Sequence, residues 1–93
     1  MIDTKEAYDF FMKSIQEPFN MVAEHLIDNG WSLSEKEISS EVAWESWFDG
    51  ANSYVSIENF YEDDRIRIVG DDPIVEQIES LLEDSYEIEV YGF

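Results

Sequence analysis

The sequence predicts an α+β domain in which two helices pack on one face of a four-stranded, mostly antiparallel sheet. Two observations predict this class: apolar residues recur at helical spacing near the start of the chain and again after residue 72, and they alternate with polar residues in four other segments. The predicted order is helix, three-strand meander, helix and strand, which is typical of a sandwich of helices on a sheet. We treat residues 1–93 as one domain, because a chain of this length builds a single core.

The first predicted helix extends from Asp3 to Gly30. Asp3 with Glu6 is typical of an N-terminal cap pair, and Gly30 is typical of the residue after a helix. Pro18 removes one backbone hydrogen bond, but the apolar stripe keeps its phase across it, so a kink is favoured over two separate helices. The stripe consists of Tyr8, Phe11, Met12, Ile15, Phe19, Val22 and Leu26.

Residues 37–48 alternate between apolar and polar, which predicts the first strand. A helix that begins with Ser34 and Glu37 as a capping box is the open alternative. The predicted core face of the strand carries Ile38, Val42, Trp44 and Phe48.

A two-residue turn at Asp49-Gly50 favours the strand, because it pairs Trp44 with Val55 and places the apolar residues of both strands on one face. The same register pairs Val42 with Ile57. It leaves Trp47 and Tyr54 on the outer face.

The rest of the chain predicts a strand, a helix and a last strand. Residues 65–69 alternate, with Ile66 and Ile68 inward and two arginines outward; Asp72 is a cap for the second helix. The inner side of that helix carries Ile74, Ile78, Leu81 and Leu82, and the last strand alternates through Tyr86, Ile88 and Val90. The intervening segment of about 16 residues suffices for a right-handed crossover, so the last two strands should be parallel, at an edge that the sequence does not fix.

The charge of the chain indicates its class of partner. It has 23 acidic against 5 basic residues and a net charge of -18, whereas a net of magnitude about 2 to 8 suffices for solubility. Duplex DNA carries one charge per about 1.7 Å, so eighteen charges match about 30 Å of duplex, roughly the diameter of a compact domain of this length. We therefore expect a basic protein partner, and neither nucleic acid nor an anionic membrane.

The candidate functional residues are carboxylates that could stand in for phosphates. They fall on the outward side of both predicted helices and in two loops, without the lysines that usually alternate with glutamates on a helix. The set is Glu6, Glu17, Glu24, Asp28, Glu62, Asp63, Asp64, Asp71, Asp72, Glu76, Glu79 and Glu83. Arg65 and Arg67 are expected to pair with Glu58 and its neighbours across the sheet.

The sequence predicts no enzyme, no metal site and no cofactor. It lacks a phosphate-binding glycine loop, a catalytic triad pattern and the spacing of an EF-hand, and its one histidine, His25, lies beside an apolar stripe. The absence of cysteine, of a signal peptide and of a long apolar run predicts a cytoplasmic protein.

The chain resembles phage-encoded DNA-mimic proteins in its small size, its charge and its lack of cysteine. It also resembles them in the acidic face of the Asp3–Gly30 helix and in the acidic clusters at residues 62–64 and 71–72. Among these, the chain is most similar in character to the Arn family of anti-restriction proteins of T-even phages. The resemblance implies occupation of the DNA-binding groove of a host restriction endonuclease, of the modification-dependent McrBC type. It also implies that binding could extend to other host DNA-binding proteins, such as nucleoid-associated proteins.

Two alternatives and one assembly hypothesis accompany this reading. The chain could be an immunity or inhibitor protein that binds one basic toxin or nuclease outside its DNA groove, or a domain whose acidic surface is an adaptation to high salt. A homodimer would double the acidic surface, and its interface is predicted at Trp47 and Tyr54 on the outer sheet face.

Overall fold

The computed structural model describes the backbone of residues 4–92 and the side chains of residues 8–92. It confirms an α+β fold with two helices and an open, mostly antiparallel sheet, but the sheet has five strands where four were predicted. In chain order the elements are α1 (Thr4–Asp28), β1 (Ser32–Ile38), β2 (Ala43–Phe48), β3 (Tyr54–Phe60), β4 (Arg65–Gly70), α2 (Asp72–Leu82) and β5 (Glu87–Gly92).

The strands lie in the sheet in their chain order, from β1 to β5. The first three pairings are antiparallel, whereas β5 runs parallel to β4 after the crossover through α2. The predicted parallel pair is therefore confirmed, and the edge that the last strand joins is the β4 edge.

Helix α1 continues through Pro18, so the helix is not divided. Its last residue is Asp28, and Gly30 follows it with a φ of 86°, as predicted for the residue after the helix. The Trp31 amide donates to the Leu26 carbonyl at 2.9 Å and the Gly30 amide to the Ile27 carbonyl at 3.1 Å, the two bonds of a Schellman motif.

The predicted apolar stripe of α1 is buried only from Ile15 onward. Tyr8 and Phe11 are exposed, which corrects their assignment to the core. The physical reason is length: 25 helical residues extend about 37 Å, whereas strands of six or seven residues extend about 20 Å. The first turns of α1 therefore extend beyond the sheet, where the rings of Phe11 and Tyr61 lie perpendicular to each other, with 5.7 Å between their centroids.

Strand β1 was not predicted, and its presence also rules out the helical alternative for residues 37–48. All seven of its residues are exposed, so Ile38 is not a core residue and no alternating pattern marks the strand. The turn to β2 has neither glycine nor proline; the Ser39 hydroxyl donates to the Val42 carbonyl at 2.8 Å and the Ser39 amide to the same oxygen at 2.9 Å. Val42 lies in this turn instead of the predicted strand core.

The predicted register of β2 with β3 is wrong by three residues. Val55 pairs with Trp47, not Trp44, and Ile57 pairs with Glu45. A shift by an odd number of residues exchanges the two faces of a strand.

Consequently Ala43, Glu45 and Trp47 face the core, and Trp44 and Phe48 face outward. The cause is the loop at residues 49–53, which is longer than the predicted two-residue turn. The Asp49 carboxylate accepts the Ala51 amide at 2.8 Å and the Ser53 amide at 3.1 Å, and these bonds hold the pKa of Asp49 below its usual value.

The core lies between the two helices and one face of the sheet. Ile66 and Ile68 point inward from β4 as predicted. On α2 the predicted core residue Leu81 is 39% exposed and Val75 is buried in its place, while Asp71, not Asp72, is the N-cap residue. The apolar core consists of Ile15, Phe19, Val22, Leu26, Ala43, Trp47, Val55, Ile57, Ile66, Ile68, Ile74, Val75, Ile78 and Leu82.

Candidate protein-binding surface

The outward side of α1 carries three of the predicted carboxylates. Glu17, Glu24 and Asp28 are all exposed, opposite the buried stripe. They rise about 10.5 Å and then about 6 Å along the helix axis, which corresponds to about three and two base-pair steps of 3.4 Å. Glu6 lies outside the side chains that the structure describes.

The acidic turns lie at the two ends of this row. Glu17 and Asp64 line the same cavity, so the turn of residues 62–64 adjoins the middle of α1. Asn29 and Asp71 line another cavity, so the start of α2 adjoins the end of α1. The row on α1 therefore runs from one acidic turn to the other, on the side of the helix that faces away from the sheet.

The remaining predicted carboxylates lie on α2 and in these turns. Glu76 and Glu83 are exposed and Glu79 is half-buried. The acids of the turns are exposed except for Asp71, which is half-buried; Asp64 adopts a left-handed φ of 51°. We call these exposed groups of α1, α2 and the two turns the acidic surface.

Two further exposed carboxylates, Glu35 and Glu37, were not among the predicted residues, because β1 was not predicted. Both are exposed on the edge strand, where charges also protect an unpaired edge from pairing with other chains. No apolar alternation marks this strand, and its charged run, Glu35-Lys36-Glu37, is typical of an exposed edge strand.

The arginines lie away from the acidic surface, on the outer sheet face. Arg65 Nη1 is 3.2 Å from Glu89 Oε1, and Arg67 Nε is 3.3 Å from Glu89 Oε2. Arg67 Nη1 also lies 3.8 Å from Glu58 Oε1, so the predicted pairing with Glu58 and its neighbours is present. Arg67, with Arg65, holds the pKa of Glu89 below its usual value.

The outer sheet face is also rich in aromatic rings. Both guanidinium groups lie over the Phe60 ring, at 4.4 and 5.1 Å, and Phe48 stacks on Tyr54 with 4.5 Å between centroids. Tyr54 is exposed as predicted. Trp47 is 4% exposed and faces the core, so its assignment to an interface is wrong.

A polar cavity of about 250 Å³ lies where α1, the 62–64 turn and the start of β5 meet. Burial and the carboxylates of Glu17 and Asp64 raise the pKa of Tyr86, which lines it. Asn59, 2% exposed, also lines it; its Nδ2 donates to the Ile15 carbonyl at 2.9 Å and its Oδ1 has no partner. The cavity therefore presents hydrogen-bond acceptors and negative charge.

Within residues 4–92, neither helix is long and apolar enough to cross a bilayer. No three His, Cys, Asp or Glu side chains of this part of the chain come together as a metal site. In comparisons with known proteins, no family model, no curated protein and no solved structure matches the chain.

Proposed function

We propose that this protein is a DNA mimic that inhibits a host restriction endonuclease of the modification-dependent type by occupying its DNA-binding groove. The observation that carries the proposal is the row of exposed carboxylates along α1, which ends at an acidic turn on each side. No lysine or arginine interrupts it, because residues 14–28 and 71–84 contain neither. Such a surface would present a basic groove with the charge that it normally meets on phosphates.

The mechanism is competition. Carboxylates bind the lysines and arginines that contact DNA phosphates, without any readout of bases, so association should be fast and sensitive to salt. Because phosphate contacts are common to DNA-binding proteins, the proposal extends to other basic host proteins, including nucleoid-associated ones. It needs no catalytic group and no cofactor, and it places the protein in the host cytoplasm.

The proposal is tested by competition with duplex DNA. A labelled duplex is bound to a McrBC-type endonuclease and, separately, to two unrelated DNA-binding proteins, and the acidic protein is titrated into each complex. We expect DNA release from the endonuclease and at least one other protein, with inhibition that weakens steeply as NaCl rises. Poly-glutamate at equal charge concentration is the control for charge without a folded surface.

An immunity protein would behave differently in the same experiment. It would bind one nuclease tightly while that nuclease still held its DNA, and it would release no DNA from the unrelated proteins. That outcome would overturn the DNA-mimic proposal in favour of the alternative.

A further inference from the structure

Glu45 is an anomaly in the core. It is 4% exposed on the helix-facing side of β2, between Ala43 and Trp47. Its carboxylate accepts hydrogen bonds from Trp47 Nε1 at 3.1 Å and Gln16 Nε2 at 3.3 Å, both neutral donors. Among the residues that the structure describes, no lysine or arginine nitrogen lies within 4.0 Å of it. A buried carboxylate ordinarily has a cationic partner, because losing hydration without one is costly.

Glu45 also lines a cavity of about 260 Å³ between α1, β1 and β2, which we call the Glu45 cavity. Phe19 and Ile38 supply apolar walls, and Glu45 is the one buried carboxylate among the lining residues, since Glu37 at the rim is exposed. Pockets for drug-sized ligands have about 300 to 1,000 Å³, so this one suits a smaller group. An apolar stem that ends in a cation matches both the walls and the charge.

We propose that the Glu45 cavity receives one arginine side chain of the basic partner. Arginine fits better than lysine, because its guanidinium is less strongly hydrated and binds a carboxylate through two N–H groups. The identity of the occupant rests on the proposed function, which supplies a partner rich in arginine. The cavity thereby adds one anchoring contact to a surface that otherwise acts through many exposed charges.

Lys36 is the competitor within the chain. It pairs with Glu45 in the β1–β2 register and lines the rim of the cavity, but it is exposed. Replacing it by an uncharged residue should therefore leave the cavity open to an arginine.

The experiment uses N-acetyl-arginine amide, which carries the side chain on an uncharged backbone, at physiological salt. The indole N–H signals of the three tryptophans are followed by NMR. Trp47 donates to Glu45, whereas Trp31 lies at another cavity and Trp44 faces outward from β2, so both of these are internal controls. We expect a saturable shift of Trp47 with Trp31 and Trp44 little changed, a weaker shift with the lysine amide, and none with the norleucine amide.

Variants test the site. Glu45→Gln keeps the shape and the hydrogen bond from Trp47, and the Gln16 amide can turn so that its oxygen accepts from the new amide; affinity for the arginine amide should fall at least tenfold. Glu87→Gln, at an exposed carboxylate outside the acidic surface, and Lys36→Met should retain it. Ile38→Arg, at a position that is 44% exposed, supplies an arginine within the chain and should block the probe; it serves as the second variant if Glu45→Gln does not fold. Equal, non-saturating shifts of all three indoles, unchanged in Glu45→Gln and Ile38→Arg, would overturn the proposal, because they would report only the general negative field.

Failure of this inference and failure of the proposed function are distinguishable. Saturable binding of the arginine amide without displacement of DNA from any protein would retain the cavity and reject the DNA mimic. Displacement of DNA without saturable binding of the arginine amide would retain the DNA mimic and reject the cavity as an arginine site. If both hold, Glu45→Gln should mainly raise the dissociation rate of the endonuclease complex, whereas loss of exposed charges should mainly slow association.

Discussion

Tyr86 shows how the excess of acid acts on a single residue. Its phenol lies in a cavity with Glu17 and Asp64, and it is half-buried there. Burial and both carboxylates disfavour the phenolate, so the pKa of Tyr86 is raised. Part of the rise in the pKa of Tyr86 therefore reflects the negative potential at the place where α1 meets the 62–64 turn.

Glu17→Gln should lower the pKa of Tyr86 toward the usual tyrosine value of about 10, because it removes one of the two charges that raise it. The measurement is an NMR titration of the tyrosine rings. A raised pKa in the folded state means that the contribution of Tyr86 to stability is complete below about pH 10 and is lost as the pH rises through its folded pKa. Glu24→Gln, on the same helix but not among the causes of the shift, is the matched control; an equal effect of both changes would contradict a local cause.

Strand β2 shows, at the scale of an element, what the sequence could and could not predict. Its large apolar residues are Trp44, Trp47 and Phe48, so either face is plausible, and the face with Trp44 and Phe48 avoids burying Glu45. In the structure Trp47 packs in the core, and Glu45, which lies on the same face of β2, is buried with it. The loop length that fixes the register depends on hydrogen bonds to Asp49, which no pattern of hydrophobicity reveals.

The other elements were more predictable because one face of each is clearly apolar. Ile66 and Ile68 alternate with arginines, and α2 carries Ile74 and Ile78 at helical spacing. The exposure of the acids on α1 followed from the same pattern, since a buried stripe defines its opposite face. Strand β1 was not predicted, because it buries no side chain and its sequence therefore shows no apolar face.

Neutralising the outward row of α2 should weaken binding to the endonuclease. The triple change Glu76→Gln, Glu79→Gln and Glu83→Gln is expected to lower affinity and to flatten its dependence on salt, because binding depends on the summed charge. Glu24→Gln alone should change affinity by no more than about fivefold, since one exposed charge contact is worth at most about 1 kcal/mol. Affinities measured over a series of NaCl concentrations test this; loss of binding on the single change with none on the triple change would indicate a hot-spot interface instead.

The whole molecule is more elongated than its length suggested. Its extents are 49 × 23 × 21 Å, where a compact domain of about 30 Å was expected. Residues 4–92 carry a net charge of -17, because Asp3 is the one charged residue outside them. Over the long dimension of 49 Å this gives one net charge per about 2.9 Å, against one per about 1.7 Å in duplex DNA. The linear charge density is therefore lower than that of a duplex, which corrects the expectation of equality.

Salt should stabilise the fold. Screening over about 10 Å at 0.1 M relieves repulsion among like charges, so the melting temperature should rise between low and moderate NaCl. A gain of about 1 kcal/mol would raise it by about 4–8 °C in a domain of this size. Calorimetry measures the effect, and the α2 triple variant should show a smaller rise. A melting temperature that does not depend on salt would show that the acids are compensated internally.

The homodimer stays a prediction, but its predicted interface can no longer include Trp47. Trp47 is in the core, where Trp47→Ala would cost about 3–5 kcal/mol of stability, so that variant cannot report on assembly. The outer sheet face holds the Phe48–Tyr54 stack at one end of β3 and both arginines over Phe60 at the other, and this face is now the one expected to meet a second copy. Sedimentation at micromolar concentration should give a dimer that Tyr54→Ala weakens. A single species near 10.9 kDa would reject the dimer.

The fully exposed strand β1 should be the first element of the sheet to detach when the domain opens. It is bonded to β2 alone and no side chain of it is buried, so detaching it costs backbone hydrogen bonds and little apolar contact. Its amide protons should exchange with solvent through this local opening, well before those of β3, which need global unfolding. Exchange measured by NMR should therefore rank β1 lowest in protection and β3 highest, and equal protection would indicate one cooperative unit. The edge of β2 would then become accessible for moments at a time, while the rest of the domain stayed folded.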